Sequence, residues 1–128
     1  MIAVDTSALM AITLGEPDAA ACMDVLAAEP EVVISAGTVA EALIVAGRRN
    51  LSDEISALID DLGFTVAPVT AAVARRVALA YARWGKGIHP AGLNFGDCFA
   101  YAAASELDCP LLFVGGDFAA TDLKSARP

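Results

Sequence analysis

One stretch organises this sequence: Leu93-Asn94-Phe95-Gly96-Asp97-Cys98-Phe99-Ala100-Tyr101. The apolar, alanine-rich residues after its glycine predict a helix, on which Asp97 shares a stripe with Ala100 and Ala104. No basic residue stands three or four positions after Asp97, so the helix offers it no local ion pair. One interpretation is helix capping, with Asn94 as the N-cap and the acid in the first turn, where the helix dipole favours negative charge. The other interpretation is that this acid belongs to a functional site.

Two further acids stand where a predicted strand ends. Residues 1–4 form a short apolar strand that ends on Asp5, and residues 111–114 form a buried strand that is followed by Asp117. In open parallel sheets, ligands bind outside the carboxyl ends of the strands. Capping of a loop or helix is the competing interpretation of each acid taken singly.

A fourth acid, Glu41, lies inside an apolar helix predicted over residues 38–46. Its neighbours at the third and fourth following positions are Ile44 and Val45, and Arg48 is two turns away. Glu41 therefore also lacks a close local partner, although a structural ion pair with Arg48 or with a distant base remains an equal alternative.

The rest of the chain alternates short strands with helices. The predicted strands are residues 1–4, 32–35, 64–66 and 111–114, and the predicted helices are residues 6–12, 16–29, 38–46, 52–62, 70–84 and 97–108, with Thr121 and Asp122 capping a last short turn. This order predicts one α/β domain, residues 1–128, with a short, mostly parallel sheet covered by helices on both faces. All four acids could then meet at one rim.

Composition excludes several classes of protein. Sixteen acids against eight bases give a formal charge of −8, which argues against a protein that coats nucleic acid electrostatically. It does not exclude an enzyme that touches nucleic acid only at a metal-filled cleft. Three cysteines without a Cys-x-x-Cys motif and a single histidine are typical of a reduced, intracellular protein without a zinc site. With no signal-like N-terminus and no membrane-spanning run, we expect a soluble cytoplasmic protein.

Four converging acids need a cation. Two carboxylates about 4 Å apart repel by roughly 4 kcal/mol at an effective dielectric constant near 20, so the group would take up protons or hold a metal. Oxygen ligands without His or Cys favour Mg²⁺ or Mn²⁺ over zinc. A carboxylate-bound Mg²⁺ polarises a phosphoryl oxygen and activates water for in-line attack on a phosphodiester.

The residues also carry a family resemblance. The segments in question are Asp5-Thr6-Ser7, Glu41, Asn94-Phe95-Gly96-Asp97 and Gly116-Asp117-Phe118 with Thr121-Asp122. In order and spacing they resemble the signature of PIN-domain ribonucleases, and most closely that of the VapC toxins of type II toxin–antitoxin systems. The resemblance runs from residue 2 to about residue 123, which is nearly the whole chain.

This resemblance implies a three-layer α/β/α endoribonuclease that depends on Mg²⁺ or Mn²⁺, forms a homodimer and is neutralised by a VapB-like antitoxin. It assigns the metal-binding and catalytic roles to Asp5, Glu41, Asp97 and Asp117, and supporting roles to Thr6, Ser7 and Asn94. Gly116 departs from the family pattern, where many relatives carry Asn or Asp. Whether Asp117 or Asp122 is the fourth acid at the metal is therefore left open.

The sequence leaves open how the protein binds RNA and whether it is catalytically active. The acidic pocket suits an antitoxin that inserts arginine, whereas the RNA could be held through the metal and a basic cluster, Arg75, Arg76, Arg83 and Lys86. The main alternative is a catalytically weak or inactive PIN-fold partner of an antitoxin, which acts in complex formation and transcriptional autoregulation. Such a protein would show little affinity for divalent metal and no metal-dependent cleavage of RNA.

Overall fold

The computed structural model describes all 128 residues. Its strands are β1 (Ile2–Val4), β2 (Val32–Ser35), β3 (Thr65–Ala67) and β4 (Leu111–Leu112). Its helices are α1 (Thr6–Leu14), α2 (Ala19–Ala28), α3 (Ala36–Gly47), α4 (Ser52–Asp61), α5 (Ala71–Trp84) and α6 (Phe95–Leu107), and a 3₁₀ turn covers Phe118–Ala120. None of these helices is both long enough and apolar enough to cross a membrane.

The strands form one parallel sheet in the order β3-β2-β1-β4, with helices on both faces. Side chains alternate along β1, so that Ile2 and Val4 pack with α1 to α4 while Ala3 packs with α5 and α6. The register pairs Ala3 with Val33 of β2 and with Leu111 of β4. The predicted three-layer α/β/α architecture is confirmed, and β1 is an interior strand that delivers Asp5 to the middle of the sheet's carboxyl edge.

The last strand is shorter than the predicted strand over residues 111–114. Beyond Leu112 the neighbouring strand has already turned into α1, so the ladder has no further partner. The N–H of Val114 instead donates to the Ser7 hydroxyl oxygen at 3.0 Å. On the outer side of β4, the N–H of Leu111 donates to the carbonyl of Lys124, which places the C-terminal segment along this edge.

Several helix limits also differ from the prediction. Helix α1 continues to Leu14 rather than ending at residue 12, and α2 begins at Ala19 rather than at residue 16. Helix α3 begins at Ala36 rather than residue 38, because the Ser35 hydroxyl caps it by accepting from the N–H of Gly37 at 3.2 Å. Leu51, not Ser52, is the N-cap residue of α4. Thr121 and Asp122 follow the 3₁₀ turn instead of capping a turn after it.

Candidate active site

Asp5 is the most buried of the four acids. It is the N-cap of α1, where its Oδ2 accepts a hydrogen bond from the N–H of Ser7 at 3.0 Å. Only 3% of the residue is exposed, and its Oδ1 is buried without any hydrogen-bond partner. A buried carboxylate oxygen that nothing in the chain satisfies is costly, so this atom is free to bind a ligand from outside the chain.

The electrostatics of Asp5 depend mainly on that burial. Burial raises the pKa of Asp5 to about 7, the hydrogen bonds from Ser7 act in the opposite direction, and the charges of Asp97 and Glu41 raise the pKa further. Thr6, the residue after Asp5, also donates its hydroxyl to Glu41, so that Asp5 and Glu41 lie on the same side of the sheet. Acids that are far apart in sequence are therefore brought to the same rim.

Glu41 lies in the second turn of α3 and is held by a residue of α1. Its Oε1 accepts a hydrogen bond from the Thr6 hydroxyl at 2.6 Å. No basic group lies within 4.0 Å of its carboxylate, so the ion pair with Arg48 that the sequence left open does not form. The Glu41 side chain instead rests on Gly96, where a Cβ atom would overlap its carboxylate.

Asp97 combines the two interpretations that the sequence left open. Its backbone N–H donates to the Asn94 side chain at 2.8 Å, and its Oδ2 accepts from the N–H of Asn94 at 3.0 Å, which together form a capping box at the start of α6. Burial raises the pKa of Asp97 to about 6; the Asn94 hydrogen bond opposes this shift, and the charges of Glu41 and Asp117 add to it. The cap thus fixes Asp97 within the acidic cluster.

The structure separates Asp117 from Asp122. Asp117 is exposed just before the 3₁₀ turn, and its charge acts on Asp97. Asp122 accepts a hydrogen bond from the Tyr101 hydroxyl at 2.7 Å and lies 3.7 Å from the Arg83 guanidinium. Because Asp122 already has two partners of its own, these contacts favour Asp117 as the fourth acid of the cluster.

Ser7 and Gly96 complete the frame around the acids. Ser7 holds Asp5 through its N–H and receives the N–H of Val114 on its hydroxyl oxygen, so it ties the start of α1 to the end of β4. The sequence alone did not predict a role for Gly96. The available signal was a glycine beside Asp97 within a helix, where glycine is unfavourable unless something approaches closely; here that is the Glu41 carboxylate.

The donor set fits a hard divalent cation. No three His, Cys, Asp or Glu side chains converge closely enough to hold a metal ion as they stand. Mg²⁺, however, keeps several waters and is usually held through one or two carboxylates together with substrate phosphates. The unpartnered Oδ1 of Asp5, with Glu41 and Asp97 acting on the same group, supplies oxygen ligands of this kind.

Two members of the basic cluster, Arg76 and Arg83, already have acidic partners, which their spacing in the sequence does not indicate. Arg76 lies 3.9 Å from Glu106, and Arg83 lies near Asp122 with its guanidinium 4.4 Å from the centre of the Trp84 ring. Exposed ion pairs of this kind contribute roughly 0–1 kcal/mol, so they break easily when a stronger ligand arrives.

Two aromatic residues and the single histidine take structural places. Trp84 and Tyr101 are buried in the core between α5, α6 and the sheet. His89 lies in the loop after α5, packs edge-on against Trp84 at 4.6 Å between ring centres, and accepts from the N–H of Ala91 on its Nδ1. None of these contacts involves Asp5, Glu41, Asp97 or Asp117.

A parallel sheet between two helical layers, with acids gathered at its carboxyl edge, is the arrangement of a PIN domain. The PIN domain family matches residues 2–124 of the chain. At the level of the fold, VapC20 of Mycobacterium tuberculosis, described as a toxin that cleaves the sarcin–ricin loop, superposes with a TM-score of 0.81 over 100% of both chains at 21% identity. A toxin–antitoxin complex from Klebsiella pneumoniae gives a TM-score of 0.72 at 19% identity, covering 95% of this chain and 93% of that one.

Relatives with higher sequence identity show to which group of PIN-domain proteins the chain belongs. Ribonuclease VapC28 of Mycobacterium tuberculosis is 44% identical over 127 residues, which is 96% of each chain. Ribonuclease VapC36 of the same organism is 44% identical over 125 residues, covering 94% of this chain and 90% of its own. Ribonuclease VapC of Mycolicibacterium smegmatis is 39% identical over 127 residues, covering 97% and 98%. The chain belongs to the VapC ribonucleases of the PIN-domain family.

Proposed function

We propose that this protein is an endoribonuclease toxin that hydrolyses RNA phosphodiester bonds with Mg²⁺ or Mn²⁺ held by Asp5, Glu41, Asp97 and Asp117. The observation that carries the proposal is the buried, unpartnered Oδ1 of Asp5 next to two other acids. The names of its relatives, which are ribonucleases over almost the whole chain, support the reaction class. Asp97 also caps helix α6, and this role is compatible with metal binding because both place the carboxylate at the same rim.

The chain's own residues prepare the site in distinct ways. A bound divalent cation would polarise the scissile phosphoryl group and activate water for in-line attack. Asp5 is oriented by the N–H of Ser7, Asp97 by the Asn94 cap, and Glu41 by the Thr6 hydroxyl. Because burial raises the pKa of Asp5 and of Asp97, both would release protons as the cation binds.

The proposal extends to partners. A VapB-like antitoxin would neutralise the toxin by placing a cationic side chain among the acids, and a solved neighbour of this fold is a toxin–antitoxin complex. We further expect a homodimer, acting on RNA in the cytoplasm. In the RNA complex, Arg75 and Lys86, which have no acidic partner, would contact phosphates first.

A second function has one observation in its favour. The solved structure of FitAB bound to a DNA fragment, IR36, has the same fold, with a TM-score of 0.68, 21% identity, and coverage of 98% of this chain and 93% of that one. By analogy, the chain could serve mainly as the partner of an antitoxin on DNA, with weak or no catalysis. The two functions differ in whether the isolated protein cuts RNA.

The deciding experiment uses purified protein, freed of antitoxin, incubated with total cellular RNA with and without Mg²⁺, followed by mapping of the cut ends. We expect discrete Mg²⁺-dependent cuts, lost in Asp5→Ala, Glu41→Ala and Asp97→Ala proteins that remain folded by circular dichroism. The control is Asp24→Ala, which removes an exposed acid from α2. Absence of cuts by the wild type, or cutting that persists in Asp97→Ala, would remove the ribonuclease assignment to these acids.

A further inference from the structure

A cleft of about 380 Å³ opens directly beside the acidic cluster, between α3 and the start of α6. The residues that give it its chemistry are Glu41, Ile44, Arg48, Phe95 and Phe99. Its volume falls within the roughly 300–1,000 Å³ of ordinary ligand sites. Glu41 belongs to both the cleft and the acidic cluster, so a molecule in the cleft lies next to the proposed reaction centre.

Phe95 is unusually placed for a large apolar side chain. It is 69% exposed at the first position of α6, two residues before Asp97. Its ring is nonetheless held, because it packs edge-to-face on Phe99 with 5.0 Å between ring centres and an angle of 88° between the planes. An exposed aromatic ring with a fixed neighbour thus lines the cleft. Aromatic side chains in such positions stack bases of single-stranded nucleic acid.

Arg48 adds a free positive charge to the same cleft. It is exposed and has no carboxylate within 4.0 Å, although Glu41 lines the cleft as well. The Glu41 carboxylate is turned toward Thr6 instead. In a chain of net charge −8, an unpaired guanidinium at this place is a ready contact for an anion.

We propose that the cleft binds the nucleotide next to the scissile phosphate of single-stranded RNA, with its base stacked on Phe95 and its outer phosphate on Arg48. This inference rests on the proposed ribonuclease function. An apolar helix of a protein partner fits less well, because such a helix docks through a row of apolar anchors. The cleft offers only two exposed large apolar side chains, Phe95 and Ile44, because its other large apolar residues, Val45 and Phe99, are half-buried.

The test measures binding rather than cleavage. In an Asp97→Asn background, the protein is titrated against a fluorescein-labelled random-sequence RNA of about 12 nucleotides and against an abasic ribose-phosphate strand of the same length, by anisotropy. We expect Phe95→Ala to weaken binding of the base-containing RNA by roughly 5- to 150-fold, the range that corresponds to the ~1–3 kcal/mol of base–aromatic stacking, and to leave binding of the abasic strand unchanged. Phe95→Tyr should restore affinity to within about twofold.

Two further variants separate the parts of the proposal. Arg48→Gln should weaken binding of both strands by similar factors, because it removes a phosphate contact. The matched control is Leu107→Ala, which removes an exposed apolar side chain, 40% accessible, from the far end of the same helix. Its binding should equal that of the parent for both strands.

The inference would be overturned if Phe95→Ala bound the base-containing RNA as tightly as the parent, or if it lost affinity equally for both strands. It would also be overturned if light scattering showed that Phe95→Ala dissociates a dimer, since the ring would then be covered by a second copy. Its failure is distinct from that of the proposed function: Mg²⁺-dependent cutting with no role for Phe95 rejects only the base site. Phe95-dependent binding without any cutting rejects the ribonuclease, and with it the scissile phosphate beside the cleft, but keeps the base-binding site on Phe95.

Discussion

Asp5 is the residue on which the site depends most, because burial makes its charged form costly in the absence of a cation. The pKa of Asp5 is 3.8 in the unfolded chain and about 7 in the folded protein. At a pH between these two values, the Asp5 carboxyl group keeps its proton in the native state but has lost it in the unfolded state. In metal-free buffer, therefore, the free energy of unfolding should fall as the pH rises from about 4 to about 7, by roughly 1.4 kcal/mol for each unit of pKa shift. Denaturant melts in EDTA at pH 5 and pH 8 measure this loss.

Asp5→Asn should remove much of that pH dependence. The amide oxygen can still accept from the N–H of Ser7, but it carries no charge to desolvate. We expect the variant to be more stable than the wild type at pH 8 and close to it at pH 5. Asp24→Asn on the surface of α2 serves as the comparison. If the Asp5→Asn protein lost as much stability with rising pH as the wild type, ionisation of a group other than Asp5 would be the cause of the pH dependence.

Gly96 gives a second prediction at the same scale. A Cβ at this position would overlap the Glu41 carboxylate, which is the far end of a flexible side chain and can move away. Gly96→Ala should therefore keep the fold, with thermal unfolding close to that of the wild type, but reduce RNA cleavage by at least about tenfold, because losing a catalytic contact of even ~1.4 kcal/mol has that effect.

The control for this change is Gly47→Ala at the end of α3, where the added methyl group makes only an ordinary contact with Ser52. It should retain both the fold and the cleavage rate. If Gly96→Ala cut RNA at the wild-type rate, the position of Glu41 would not matter to the reaction.

At the scale of elements, the start of α6 joins stability to the site. Asn94→Ala removes the side chain that accepts from the N–H of Asp97, which should cost about 1 kcal/mol of stability and also release Asp97 from its fixed orientation. Thr70→Ala removes the corresponding cap of α5, where the Thr70 hydroxyl accepts from the N–H of Val73 at 3.2 Å. The two variants should lose similar stability in urea melts, and only Asn94→Ala should lose cleavage. Equal cleavage by both would make the Asn94 cap purely structural.

Elements whose limits are set locally were predictable from the sequence. The start of α6 is encoded by Asn94 and Asp97, and its end near Asp108 by the change in composition. The extent of β4 is not encoded locally, because it depends on where β1 ends and on the Ser7 hydroxyl that takes the N–H of Val114. Tertiary contacts of this kind leave no periodic signal in the strand itself.

At the scale of the whole molecule, the meeting of the acids followed from topology. Parallel strands bring their carboxyl ends to one edge, so Asp5 and the residues after β4 had to come near each other. The orientation of long side chains did not follow. Glu41 could equally have paired with Arg48; its bond to Thr6 and its seat on Gly96 are visible only in three dimensions. The cleft that Phe95 and Arg48 share was missed for the same reason.

Binding of Mn²⁺ to the purified protein measures whether these acids hold a divalent cation. Electron paramagnetic resonance of free Mn²⁺ at pH 8 reports this without any RNA. We expect the wild type to bind Mn²⁺, and we expect added Mg²⁺ to compete for the same site. Binding of Mn²⁺ should be weakened at least about tenfold in Asp5→Asn and in Asp97→Asn, and it should be unchanged in Asp24→Asn. A wild type that leaves the Mn²⁺ free, or an Asp5→Asn, Asp97→Asn double variant that binds as tightly as the wild type, would show that these acids do not form a divalent-cation site.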